Sequence, residues 1–309
     1  MEGSRIAVYS AIGANIAIAI TKFVVANVTG SSAMLSEGIH SLVDTGNGIL
    51  LLVGMRLSQR RATAEHPFGH GKELYFWGLM VAVLIFGLGG GVSTYQGILH
   101  MLRPEPLRDA FWNYVVLGAA AVFEGGSLAM ALREFLKEKG DRPFWQALHE
   151  SKDPTTYTVL AEDTAAIAGL AAAAIGVYAS HRLDMPVIDG AASVVIGLLL
   201  AGVAVLLIRE SRGLLIGEGV QPETALEIRK LALATPGVCR ASPPLSMYIG
   251  ADEVLLTLDV EFVPELPAAD VAKTISRLEQ QIRSRYPRIK RIYIEASSAA
   301  TMSQGSGLV

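Results

Sequence analysis

A single cysteine, Cys239, is all that the 309-residue sequence contains, so no internal disulfide and no thiolate metal cluster can form. Charge is scarce as well: Asp, Glu, Lys and Arg make up 18% of the residues against 51% hydrophobic ones, and mean hydropathy is positive, a balance unlike that of an ordinary soluble fold. The formal net charge of −3 gives no basic surface and so no sign of a nucleic-acid partner. No nucleophile–base constellation or phosphate-cradling glycine loop stands out, and Gly87 to Gly91 lie inside an apolar run, so an enzyme is not expected.

What the sequence has in abundance is long apolar runs. A spanning helix needs about 20 mostly apolar residues, and six stretches qualify: 6–28, 34–57, 75–101, 112–136, 155–180 and 186–208. The expected architecture is an all-α, six-helix membrane domain over 1–216, embedded in a lipid bilayer. Basic residues concentrate in two connections, Arg56, Arg60, Arg61 and Lys72 in one and Arg133, Lys137, Lys139, Arg142 and Lys152 in the other. Because cytoplasmic loops keep an excess of Lys and Arg, both termini are expected in the cytoplasm. The first apolar stretch has no cleavable signal pattern and reads as a retained helix. Without a transit segment, a bacterial inner membrane is the expected location.

Beyond Gly217 the pattern changes to that of a small folded domain, 217–297, with helix 222–234, strands 245–249 and 254–262, helix 268–286 and strand 289–296. This αββαβ order suits an α+β, ferredoxin-like cytoplasmic domain with its helices on one face of a sheet. Residues 298–309 are small and polar and read as a disordered tail.

Ionisable groups inside a membrane span cost about 2.5–3.5 kcal/mol each on the gentlest scales, so those present call for a reason. The second span carries Ser36, Glu37, His40, Ser41, Asp44 and Asn47. His40 and Asp44, four apart, share one helical face and offer a nitrogen and oxygens to a borderline cation such as Zn²⁺. The bland alternative is a buried hydrogen-bonded pair. The fifth span adds Glu162 and Asp163, which could instead cap or pair locally. Asn15, Lys22 and Glu124 are further polar groups within spans, with balancing charge or joining helices as their simpler roles. His66 and His70, in the loop His66-Pro67-Phe68-Gly69-His70-Gly71-Lys72, either hold a second ion or hydrogen-bond the loop backbone. His100, His149 and His181 lie in connections or at helix ends, and 217–297 has no histidine.

With the His40–Asp44 pair, the His-Pro-Phe-Gly-His-Gly-Lys loop, six spans and the αββαβ tail, the chain resembles the cation diffusion facilitator family over nearly all of residues 5–297. The run from Asp153 to Asp163 resembles its zinc transporter nine-like branch and the bacterial relatives of that branch. The resemblance implies export of zinc or a similar divalent ion from the cytoplasm in exchange for protons, by alternating access, in a homodimer joined through the cytoplasmic domains. It also implies a metal site built from two residues of the second span and two, four apart, of the fifth. His40 and Asp44 match the first pair. Asp163 matches one position of the second and Val159, which cannot bind metal, falls on the other, so Asp163 is the expected ligand and Glu162 the second choice. His66 and His70 match a loop metal site whose usual acidic residue is replaced by Thr63. The departure at Val159 motivates an alternative, a proton-independent metal channel or a non-transporting membrane scaffold.

Overall fold

Glycines and prolines divide the apolar runs into helices. The structure, a computed structural model, describes residues 2–105, 110–141, 143–144 and 154–296. Arg142, His149, Lys152, Asp153 and the tail 298–309, to which expectations were attached, lie outside the described residues. Helices α1 (Glu2–Thr29) and α2 (Ser32–Ser58) are joined at Gly30, whose φ of +74° reverses the chain at little steric cost. A continuous rod follows, formed by α3 (Glu73–Leu84), a π-helical stretch (Ile85–Val92) and α4 (Ser93–Leu102). Then come α5 (Ala110–Lys139), α6 (Pro154–Leu183) and α7 (Val187–Ile216).

Among the described residues, four helical stretches are long and apolar enough to cross a membrane: Glu73–Leu102, Phe111–Lys137, Tyr157–Leu183 and Val187–Ile216. Glycine seals one helix pair. A Cβ placed on Gly97 of α4 would lie 2.7 Å from both the Gly190 carbonyl oxygen and the Val194 nitrogen of α7, and one on Gly90 would lie 3.0 Å from the Gly197 oxygen. Such backbone-to-backbone approach is the usual way membrane helices pack without a hydrophobic driving force. α5 packs along both α1 and α6.

The chain forms two compact units, one running through Leu57 with Glu73–Arg212, the other made of Ser58–Lys72 and the chain from Gly213. A division at Gly217 leaves the loop 58–72 with the helical part; the structure instead folds it into the second unit. The reason is local: Gly71 packs so tightly on the Ile249 carbonyl that any Cβ there would overlap it, and Lys72 Nζ donates to the Leu215 oxygen at 3.2 Å.

In the second unit α8 (Pro222–Leu233) precedes β1 (Val238–Ala241), β2 (Leu245–Gly250), β3 (Glu253–Phe262), α9 (Ala268–Arg285) and β4 (Ile289–Ala296). One strand, β1, is additional to the expected αββαβ order. β1 and β2 both pair antiparallel with β3, β1 opposite Val260 to Phe262 and β2 opposite Glu253 to Thr257. They are one edge interrupted by Pro243 and Pro244, which supply no N–H to a ladder. β4 runs parallel to β3 on the other edge. Val254, Leu256, Leu258 and Val260 alternate onto the buried face of β3, where α8 packs on β1 and α9 on β4. Each such side chain contributes roughly 1.5–3 kcal/mol.

Candidate metal site

The start of α2 is fixed from α7. Asp189, fully buried, accepts from Ser31 Oγ at 2.7 Å and from the backbone nitrogens of Ser32 and Ala33 at 2.5 and 3.2 Å, while Ser31 Oγ accepts from the Met34 nitrogen at 3.1 Å. Four N–H groups at a helix start lack intrahelical partners, and a carboxylate there is favoured by the helix dipole. Here the cap comes from another helix. Asp189 was not singled out from the sequence, although an acid three residues after Pro186 at the opening of an apolar run was a signal available to find it. His100 Nε2 stands 3.9 Å from the same carboxylate.

One turn further, α2 turns its polar stripe inward, with Ser36, Glu37, His40, Ser41 and Asn47 all buried. Lys22 of α1, fully buried, donates to Glu37 Oε2 at 3.0 Å and to Ser41 Oγ at 2.8 Å. The two charges satisfy one another, which is what permits either to be buried. Glu37 Oε1 lies against α6 where Gly169 leaves room, only 2.6 Å from the place of a Cβ.

His40 is 2% exposed. Its Nδ1 lies 3.3 Å from Asp44 Oδ1 without hydrogen-bond geometry, and its Nε2 is buried with no hydrogen-bond partner. The pair is thus adjacent on one face, as the spacing of four predicts, but it is not the locked hydrogen-bonded pair of the bland alternative.

Asp44 opens onto a cavity of about 180 Å³ lined also by Asn15, Ser41, Glu124, Val159, Glu162 and Asp163. Both acids of α6 reach it, held by different neighbours: Asn47 Nδ2 of α2 donates to Glu162 Oε1 at 2.8 Å, and Ser127 Oγ of α5 donates to Asp163 Oδ2 at 2.9 Å. Glu162 therefore faces α2, although it lies about 100° around the helix from Asp163. Among the described residues no three His, Cys, Asp or Glu side chains are already gathered tightly enough to hold an ion.

The loop histidines are a separate place in the second unit. The rings of His66 and His70 are 4.6 Å apart, and His70 Nδ1 is buried without a hydrogen-bond partner. Thr63 folds the loop, its Oγ1 accepting from the His66 nitrogen at 3.1 Å. Phe68 stacks under Arg291, whose Nε donates to Glu253 at 2.8 Å. Cys239 is exposed.

The profile of the cation efflux transmembrane domain matches residues 8–216. The chain is similar to the proton-coupled zinc antiporter SLC30A9, mitochondrial, of Xenopus laevis, with 34% identity over 236 residues, 76% of this chain and 42% of that protein. It is 30% identical over 280 residues to metal tolerance protein C4 of Arabidopsis thaliana, covering 90% of this chain and 61% of that one. It is 27% identical over 292 residues to the magnetosome protein MamM of Paramagnetospirillum magneticum, covering 92% and 85%. The chain thus spans less than half the length of the antiporter it matches.

Proposed function

This chain is an integral membrane protein of the cation efflux, or cation diffusion facilitator, family, and we propose that it exports a divalent cation, zinc by its ligand chemistry, as a proton-coupled antiporter. The observation that carries this reading is that Asp44, with His40 Nδ1 3.3 Å from its carboxylate, lines one cavity among the helices together with Glu162 and Asp163. A nitrogen with carboxylate oxygens is the donor set zinc accepts.

The coupling follows from the ligands themselves. Metal binds only to deprotonated donors, so binding releases protons and protonation releases metal. If the cavity opens alternately to the two sides, an ion loaded from the cytoplasm leaves on the other face as protons take its place. Of the two α6 acids, Glu162 is the one we assign to the ion beside His40 and Asp44, because its contact with Asn47 holds it toward α2. Asp163, turned to Ser127, contributes from the far wall.

In the full proposal α1, α2, the α3–α4 rod, α5, α6 and α7 make six spans. Arg56, Arg60 and Arg61 with Arg133, Lys137 and Lys139 support placing both ends in the cytoplasm. The second unit, αβββαβ in order and ferredoxin-like in its two layers, is the cytoplasmic domain through which two copies join. His66 and His70 form a second, accessory zinc site on it, supported by their close rings and the unpartnered His70 Nδ1.

The test is zinc uptake into proteoliposomes with and without an imposed pH gradient. Uptake that the gradient drives and a protonophore abolishes is the expected result. Saturable uptake indifferent to the gradient would make the protein a channel instead.

A further inference from the structure

We propose that Glu124 of α5 is a ligand of the transported ion, an inference that rests on the transport reading above. Zinc takes about four donors. His40 and Asp44 supply two from α2, and Glu162, held toward α2 by Asn47, supplies a third. For the fourth, the wall offers Val159, which has no donor atom, together with Asp163 and Glu124.

Asp163 already has Ser127 at 2.9 Å. Glu124 lines the same cavity yet has no hydrogen-bond or ion-pair partner among the described residues. A half-buried carboxylate left unpaired among membrane helices is costly and calls for a counter-charge. Lys22 forms no ion pair with it: its ammonium is engaged by Glu37 and Ser41, and it does not line the cavity. Asp44, Glu124, Glu162 and Asp163 all line the one cavity. Four acids thus repel across about 180 Å³ with no basic side chain among its lining, and a divalent cation between them is what relieves the repulsion. Beside Asp44, the buried Nε2 of His40 independently lacks a partner, as a donor kept for an ion would.

The experiment is zinc titration calorimetry on the full chain in detergent, in a His66→Ala/His70→Ala background so that only the membrane site is read. Glu124→Gln, Glu124→Gln/Val159→Asp and His40→Ala are compared with the parent, each checked for folding by gel filtration and circular dichroism. Glu124→Gln should weaken zinc by at least about tenfold, the loss caused even by removing an outer partner of a metal ligand. Val159→Asp, which places a carboxylate on the same wall, should restore much of that affinity. Parent-like affinity in Glu124→Gln overturns the inference, and so does a folded Glu124→Gln whose weakened binding Val159→Asp fails to restore. Undiminished zinc binding by His40→Ala would instead overturn the transport reading beneath it.

Discussion

Glu162 and Asp163 are neighbours in the chain but are held by different helices, the first by Asn47 of α2 at 2.8 Å and the second by Ser127 of α5 at 2.9 Å. Adjacent residues on a helix point about 100° apart, so a cavity between α2 and α5 can take both. Glu162 is then the one that α2 itself reaches for.

This arrangement ranks the two acids. Glu162→Ala should lower zinc affinity by roughly 100-fold or more, as expected for a ligand whose loss exceeds that of an outer partner, whereas Asp163→Ala should cost about tenfold. Calorimetry on the two variants gives the order. Equal effects, or the reverse order, would return Asp163 to first place.

Asn47 tests the same contact from the other side. A hydrogen bond to a charged group contributes about 1.5–3 kcal/mol, so Asn47→Ala should weaken zinc by about tenfold if that bond aims Glu162 at the ion. Asn47→Asp, which sets a second carboxylate against Glu162, should fold less well than Asn47→Ala. Thermal unfolding in detergent separates the two effects.

Lys22 and Glu37 form the buried ion pair that ties α1 to α2, with side chains 1% and 0% exposed. Removing one partner strands the other, at about 3–5 kcal/mol. Lys22→Met should therefore unfold at much lower temperature than the parent. The double variant Lys22→Met/Glu37→Gln should recover a large part of that loss, and a double variant no better than Lys22→Met would show that the charge pairing is not what matters.

Much of this was legible beforehand, and the rest was not, for physical reasons. Apolar runs set the helices, and spacing alone put His40 and Asp44 on one face. What spacing cannot reveal is a partner on another helix: Lys22 finds Glu37 and Ser41 across α1 and α2, and Asp189 finds Ser31 and two amides of α2 from α7. The same blindness bears on the order of Glu162 and Asp163: Val159 and the family pattern speak for Asp163, while the contact that holds Glu162 toward α2 comes from Asn47, more than a hundred residues away. Strand β1 escaped since four residues before Pro243 and Pro244 carry too little alternation to be seen.

Asp189 gives a prediction of a structural kind. Asp189→Ala leaves two buried N–H groups and a hydroxyl without their acceptor, each such loss costing about 1–3 kcal/mol. The amides of Ser32 and Ala33 should then exchange with solvent deuterium far faster than in the parent, while those of the sheet β1 to β4 stay protected. Unchanged protection at the start of α2 would mean that water replaces the cap.

The glycine seam between α4 and α7 predicts a sharp size limit. With 2.7 Å between a Cβ at Gly97 and the α7 backbone, Gly97→Leu should prevent the two helices from closing, beyond the 1–3 kcal/mol of ordinary overpacking. Loss of the monodisperse peak in gel filtration is the outcome to look for.

The central claim is that zinc crosses through His40 and Asp44 in exchange for protons. Its most direct test is zinc uptake by proteoliposomes under an imposed pH gradient, comparing the parent with folded Asp44→Ala. The account expects gradient-driven uptake in the parent and none above protein-free liposomes in Asp44→Ala; full uptake in that variant would contradict it.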